Sequence, residues 1–298
     1  MRHLRGIYIL LLSVLLGLNS CEKPVISDKI SNQTKEDKSL CNVTFRVTKF
    51  DYIPFYKEQE ISRSTDISKF CTCISLAIFK SGNKIKVIHQ KSDKGHFGEI
   101  QLSLPAGNYQ VVAIANGGNS SASIKSPTEI SFAKSKLTDT FYYYAEITIG
   151  NNQTYNLEMK RVVAMFRLIT TDKIPTDVKK LCFFYTGGSS TFNAVTGYGS
   201  KKSRQKEERD ITDKDRNGNA VFEVYAFPHK QEDNLKIKIS ALNDAGNPIV
   251  EREFSDVPIR VNEITQYKGD FFLHFSHADS YAFSFYTQSE WTQREVDF

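Results

Sequence analysis

The sequence predicts an all-β protein, two β-sandwich domains in tandem behind a secretory leader and a flexible tether. Three observations carry this. From Asn42 onward apolar residues recur with a period of two, as in Val43-Thr44-Phe45-Arg46-Val47-Thr48-Lys49-Phe50, the pattern of a half-buried strand. Clusters of Gly, Asn, Pro and Ser break these runs at the short spacing of a sandwich. The chain also carries 21 Phe and 14 Tyr against one Trp and three Met, a bias toward residues that fit a pleated surface. With 298 residues, against about 150 per domain, there is room for two cores.

Residues 1–20 read as the leader. Arg2 and Arg5 precede an apolar run from Ile7 to Leu18, too short for a spanning helix, which needs about 20 residues. Leu18-Asn19-Ser20-Cys21 then matches a bacterial lipobox, which makes Cys21 the lipidated first residue of the mature chain. Several acyl chains on one cysteine anchor a protein stably, where one chain is marginal. The alternative is an ordinary secreted chain in which Cys21 is merely the first cysteine. Residues 21–40 follow as a tether, with Lys and Asp/Glu balanced and no aromatic residue, so that they lack the apolar surface to order themselves.

The first sandwich is expected at 41–157. Its strands are read at Val43–Phe50, Ile74–Lys80, Lys84–Gln90, Ile100–Leu104, Tyr109–Ala115, Phe141–Ile149 and Gln153–Met159, separated by turns such as Ser81-Gly82-Asn83 and Gly150-Asn151-Asn152, whose residues tolerate positive φ. The second sandwich, 158–298, begins with Arg161–Thr170 and Lys180–Tyr185. It continues with Ala220–Phe227, Leu235–Leu242, Pro248–Phe254, Tyr267–Phe275 and Tyr281–Tyr286. The two halves share a plan: Ile100–Asn116 and Phe222–Asn243 each run strand, proline, polar loop, strand, and end in Ala-Asn or Ala-Leu-Asn spacing. Between them Tyr198–Asn219, with KKSRQKEERDITDKDR inside it, reads as a solvated loop or hairpin, or else as a partner-binding patch.

Composition narrows the function. A net charge of +5 over this length, without a basic stripe interleaved with aromatics, gives no nucleic-acid footprint. No Gly-x-Ser-x-Gly elbow, phosphate loop or His-Glu-x-x-His motif occurs. Thr186-Gly187-Gly188-Ser189-Ser190 comes nearest to a nucleophile turn but lacks its closing glycine. His274 and His277 would point to opposite faces of a strand. Asp213-Lys214-Asp215-Arg216-Asn217-Gly218 opens like a calcium loop, yet Val224 stands where the bidentate Glu belongs, so an Asn-Gly turn is the plainer reading. No catalytic residue, metal site or cofactor is expected. Cys41, Cys71, Cys73 and Cys182 are read as buried apolar side chains, or as the source of a disulfide within the first domain.

These features together resemble the fimbrillin-associated anchor and minor-subunit family of Bacteroides-type fimbriae. The resemblance rests on the lipobox and tether, on Leu104-Pro105-Ala106-Gly107-Asn108-Tyr109-Gln110-Val111-Val112-Ala113, on Leu157–Leu168 (LEMKRVVAMFRL), on Val224-Tyr225-Ala226-Phe227-Pro228, and on a closing strand before Trp291. It implies two transthyretin-like sandwiches on an outer-membrane lipoprotein at the cell surface. The partners it implies are other fimbrial subunits, joined by strand complementation, with host or bacterial surface ligands beyond them. Polymerising members are cut after an Arg in the first domain. Arg63 is the accessible candidate here, and an anchor would leave it uncut. In the last strand Tyr281, Phe283 and Phe285 share one face, as core residues or as a donor segment for a neighbour. The rival is a surface glycan-binding lipoprotein, with Phe141-Tyr142-Tyr143-Tyr144 as its aromatic surface.

Overall fold

A computed structural model describes residues 40–52, 66–273, 284–287 and 294–297. The protein is all-β, its helical content confined to single short 3-10 turns among the described residues. The strands are β1 (Leu40–Tyr52), β2 (Cys73–Lys80), β3 (Asn83–Lys91), β4 (Glu99–Pro105), β5 (Gly107–Asn116), a small hairpin β6 (Ser123–Ser126) and β7 (Glu129–Ser131), then β8 (Thr140–Ile149) and β9 (Gln153–Arg161). β1 pairs antiparallel with β4 and parallel with β9. β2 pairs antiparallel with β3 and β5, and β5 with β8. The two ribbons meet edge to edge only where Phe141 and Tyr142 face Arg161 and Lys160. Elsewhere they enclose a core that includes Val43, Phe45, Leu76, Ile78, Val111, Leu157 and Met159.

The same wiring then recurs. β10 (Ala164–Thr170), β11 (Lys180–Thr186), a second small hairpin β12 (Thr191–Asn193) and β13 (Tyr198–Gly199), β14 (Gln205–Asp210), β15 (Ala220–Ala226), β16 (Glu232–Leu242), β17 (Pro248–Arg260) and β18 (Ile264–Gly269) follow. β10 pairs antiparallel with β15 and parallel with β18, as β1 does with β4 and β9. β11 pairs with β14 and β16, and β16 with β17, as β2, β3, β5 and β8 do. Phe166, Leu181, Phe183, Tyr185, Phe222, Ile237 and Ile239 fill this second core. Two further strands, β19 (Ser284–Thr287) and β20 (Arg294–Asp297), end the chain.

The repeats differ in where their extra hairpin is inserted, and the two hairpins pair with each other. β7 and β12 run antiparallel, with Thr191 opposite Ser131 and Phe192 opposite Ile130, in a sheet ordered β13-β12-β7-β6. Phe132, Phe192, Ala194 and Phe227 pack there against Ala77, Phe79, Val112 and Ile114. β2 and β5 are thereby covered on both faces, which is why Leu76–Phe79 and Val111–Ala115 read as continuous apolar runs rather than alternating ones. The described residues all belong to one compact unit.

Three expectations change. Arg161–Thr170 is not one strand: β9 ends at Arg161 and β10 starts at Ala164. Val162 and Val163 between them are buried in the shared core as the chain crosses from one repeat to the next. Arg161 secures that crossing, Nε and Nη2 donating to the two carboxylate oxygens of Asp139 at 2.7 Å each. The charged run also contains β14, an edge strand paired to β11. Its Gln205 and Glu207 are buried; Tyr185 OH donates to Glu207 Oε1 at 2.9 Å, and Arg209 Nη2 to Glu207 Oε2 at 2.6 Å. Finally, the strand read at Tyr267–Phe275 is shifted to Ile264–Gly269. The Asp172 carboxylate takes up the N–H groups of Phe271, Phe272 and Leu273, so these residues form a cap instead of a ladder.

Candidate subunit interface

β1 is the element on which a subunit contact would turn. Its alternating sequence directs Cys41, Val43, Phe45, Val47 and Phe50 inward, each 5% exposed or less. Phe45 stacks on Tyr155 at 5.4 Å between centroids, and Phe50 on Phe70 at 4.8 Å, with Phe141 edge-on to Phe50. On the outer face Arg46 Nη2 is 2.8 Å from the Glu99 carboxylate. A hydrogen bond from Gln101, together with that pairing, holds Glu99 below the usual carboxylate range.

β1 is also shared along its length. From Leu40 to Arg46 its outer edge is bonded to β4. The register against β9 slips at Thr48, and from Lys49 to Tyr52 the partner on the outer edge is β20. A strand inserted between β4 and β9 thus satisfies backbone groups on both sides and fills the core beneath. Were it withdrawn, an apolar groove flanked by two unpaired edges would remain.

Cys21, Arg63, Tyr281, Phe283, Trp291, His274 and His277 lie outside the described residues. Phe285 lies in β19, opposite Tyr267 of β18, in an antiparallel strand added to the edge of the chain's own sheet. The pairing of Arg294–Asp297 to β1 was not foreseen, because four residues, three of them charged, carry no alternation to read.

The stretches nearest to catalytic and metal-binding motifs have structural duties. Ser189 is fully buried; its Oγ donates to Thr191 O at 2.7 Å and accepts from the N–H groups of Thr191 and Lys201. Gly187 beside it has φ +101°, and a side chain there would run into the Asn234 backbone. Asp213–Asn217 is a 3-10 turn in which Asp215 accepts from Thr212 N and Oγ1 while Arg216 binds the carbonyls of Pro175 and Val178. Its carboxylates do not converge. Among the described residues no group of three or more His, Cys, Asp or Glu side chains could hold a metal ion, and no helix is long and apolar enough to cross a membrane. Cys41, Cys71, Cys73 and Cys182 are buried and free of disulfides. Burial, aided by Cys73 and Asp139, pushes the Cys71 thiol far above its ordinary range.

The aromatic run of β8 is divided between two cores. Phe141 and Tyr143 pack into the first-repeat core, Tyr142 and Tyr144 into the shared one. Tyr142 meets Phe192 edge-on at 5.0 Å.

The fold is shared with a solved structure of a candidate adhesin from Bacteroides ovatus, at 10% identity over 88% of this chain and 97% of that one, TM-score 0.52. Lesser likenesses are to another candidate adhesin from Bacteroides ovatus (12% identity, 80% and 88% covered, TM-score 0.49) and to a fimbrial assembly protein from Parabacteroides distasonis (12%, 86% and 98%, 0.41). No curated protein matches the chain in sequence. A family model does match residues 36–283, most of the chain, and the protein belongs to that family, the family of unknown function DUF6562.

Proposed function

We propose that this protein is a lipid-anchored surface component of a fimbria, its anchor or an accessory subunit, joined to fimbrial subunits by strand complementation. The observation that carries the reading is β1, an amino-terminal strand seated between β4 and β9 with five core side chains beneath it. It follows directly on the tether and the lipobox cysteine, so the element that completes the first sheet is also the element tied to the membrane. A surface role fits the fold shared with a candidate adhesin. On this reading the two strand repeats are two tandem transthyretin-like domains, 41–157 and 158–298. Cys21 carries the lipid, β1 stays in place because Arg63 is uncut, and the segment with Tyr281, Phe283 and Phe285 meets the next subunit.

The test is deletion of residues after Asp279, followed by capture of fimbrial subunits on the purified protein. The proposal predicts a folded product that no longer retains them. A folded product that retains them as the full chain does would refute it.

A further inference from the structure

β3 closes the sheet of the first repeat. It pairs with β2 along one side, and among the described residues no strand pairs with the other. Such an edge presents a row of main-chain N–H and C=O groups on which a further strand can form. β3 carries Lys84, Lys86 and Lys91 and no carboxylate. Lys84 Nζ donates to Ile124 O at 2.8 Å, and none of the three lysines forms an ion pair with a described residue. Between them lie two apolar side chains in water, Ile85 at 45% and Val87 at 37% exposed.

The matching strand of the second repeat, β14, shows how this chain closes an edge. It is six residues long and has no apolar side chain. Lys180 and Lys206 neutralise Glu208, Arg209 pairs with the buried Glu207, and Arg209 Nη2 also donates to Glu223 O of β15 at 2.7 Å. β3 has none of these devices: it is nine residues long, charged with one sign, and apolar between its charges. Lysines alone would blunt the edge, but they do not account for Ile85 and Val87. A polyanion would use the lysines and leave the apolar side chains and the main-chain groups unmet. A neutral apolar strand would meet those and leave the lysines idle. A strand with carboxylates toward its ends and apolar residues beside Val87 and Ile88 meets all three.

We propose that the free edge of β3 is a docking site for an extended acidic segment of another protein, which adds to the sheet as a further strand. β3 and β1 lie toward opposite ends of the sheet order. The site therefore stands or falls separately from strand complementation at β1.

The experiment is fluorescence anisotropy of the full mature chain with a labelled nonapeptide, Glu-Thr-Glu-Val-Ile-Val-Glu-Thr-Glu, which reads the same in both directions. It is expected to bind at least about tenfold more tightly than the peptide with Lys in place of each Glu, and raised salt should erode that preference. The double variant Lys86→Glu/Lys91→Glu, at two exposed positions, should abolish it. Main-chain pairing is read with two further forms of the acidic peptide, methylated on its odd or on its even peptide nitrogens. A strand added to one edge bonds through every second residue, so one of these forms should bind at least about tenfold more weakly. Equal affinity for the acidic and basic peptides, or a preference unchanged in the lysine variant, would overturn the proposal. Binding that neither methylated form weakens would assign the surface to a polyanion and overturn it as well.

Discussion

Phe192 shows how much a single side chain can decide here. It is fully buried in the core shared by both repeats, edge-on to Tyr142 and 5.1 Å from Phe227. Phe192→Ala should cost about 3–5 kcal/mol in urea denaturation, whereas Phe184→Ala, at an exposed position of β11, should stay within about 0.5 kcal/mol. Ionisation gives a second prediction. Burial raises the Tyr185 phenol, with the Glu207 charge adding to it, and burial raises the Cys71 thiol. The folded state therefore keeps protons that the unfolded chain begins to release near pH 8.5 for thiols and pH 10 for phenols. Their contribution is complete below those values and is lost as pH rises through them. Denaturation at pH 10 should show a lower midpoint than at pH 7, and an equal or higher one would contradict the assignment. Residue roles of this kind were only half legible in the sequence. Ser189 is legible as structural, because the closing glycine of a nucleophile elbow is missing, but its bridge to Phe227 has no local signal. Glu207 was hidden in a run of charges, since its partners Tyr185 and Arg209 become visible only when β14 pairs with β11.

At the scale of elements, the strands that pack one face and wet the other were readable from alternation alone, β1 and β4 most clearly. β2 and β5 were found despite lacking alternation, because apolar β-branched residues bounded by turns mark a strand as well. What local pattern could not provide was pairing. The parallel contact of β1 with β9, the slip at Thr48 and the docking of β20 on Lys49–Tyr52 join residues far apart in the chain. Short strands such as β7 and β12 acquire their conformation from each other. The proposed role of β1 makes a direct prediction. A chain beginning at Ser64 should bind a synthetic Leu40–Tyr52 peptide, read by fluorescence anisotropy, and should not bind a version with Val43, Phe45 and Val47 changed to Ser. Each such change removes about 1.5–3 kcal/mol of apolar burial, so equal binding of the two peptides would count against a strand-shaped groove.

The whole molecule is a duplicated unit whose two copies interlock. The parallel between Ile100–Asn116 and Phe222–Asn243 announced the duplication in the sequence. The cross-pairing of the inserted hairpins was not announced, because each insertion looks like an ordinary loop until the other is beside it. A shared core with Phe132, Phe192 and Phe227 on one side and Phe79 on the other couples the copies. Calorimetry should therefore show one unfolding transition whose van't Hoff and calorimetric enthalpies agree, and two separated transitions would mean that the repeats are independent. Such coupling suits a component that is held by its amino terminus and loaded elsewhere. The central claim, that this terminus is the membrane attachment and that β1 remains in the sheet, is tested most directly by the intact mass of the protein recovered with surface fibres from cells that make it. The account predicts an acylated Cys21 at the amino terminus, with the chain continuous through Arg63. An unacylated chain beginning at Ser64 would contradict it.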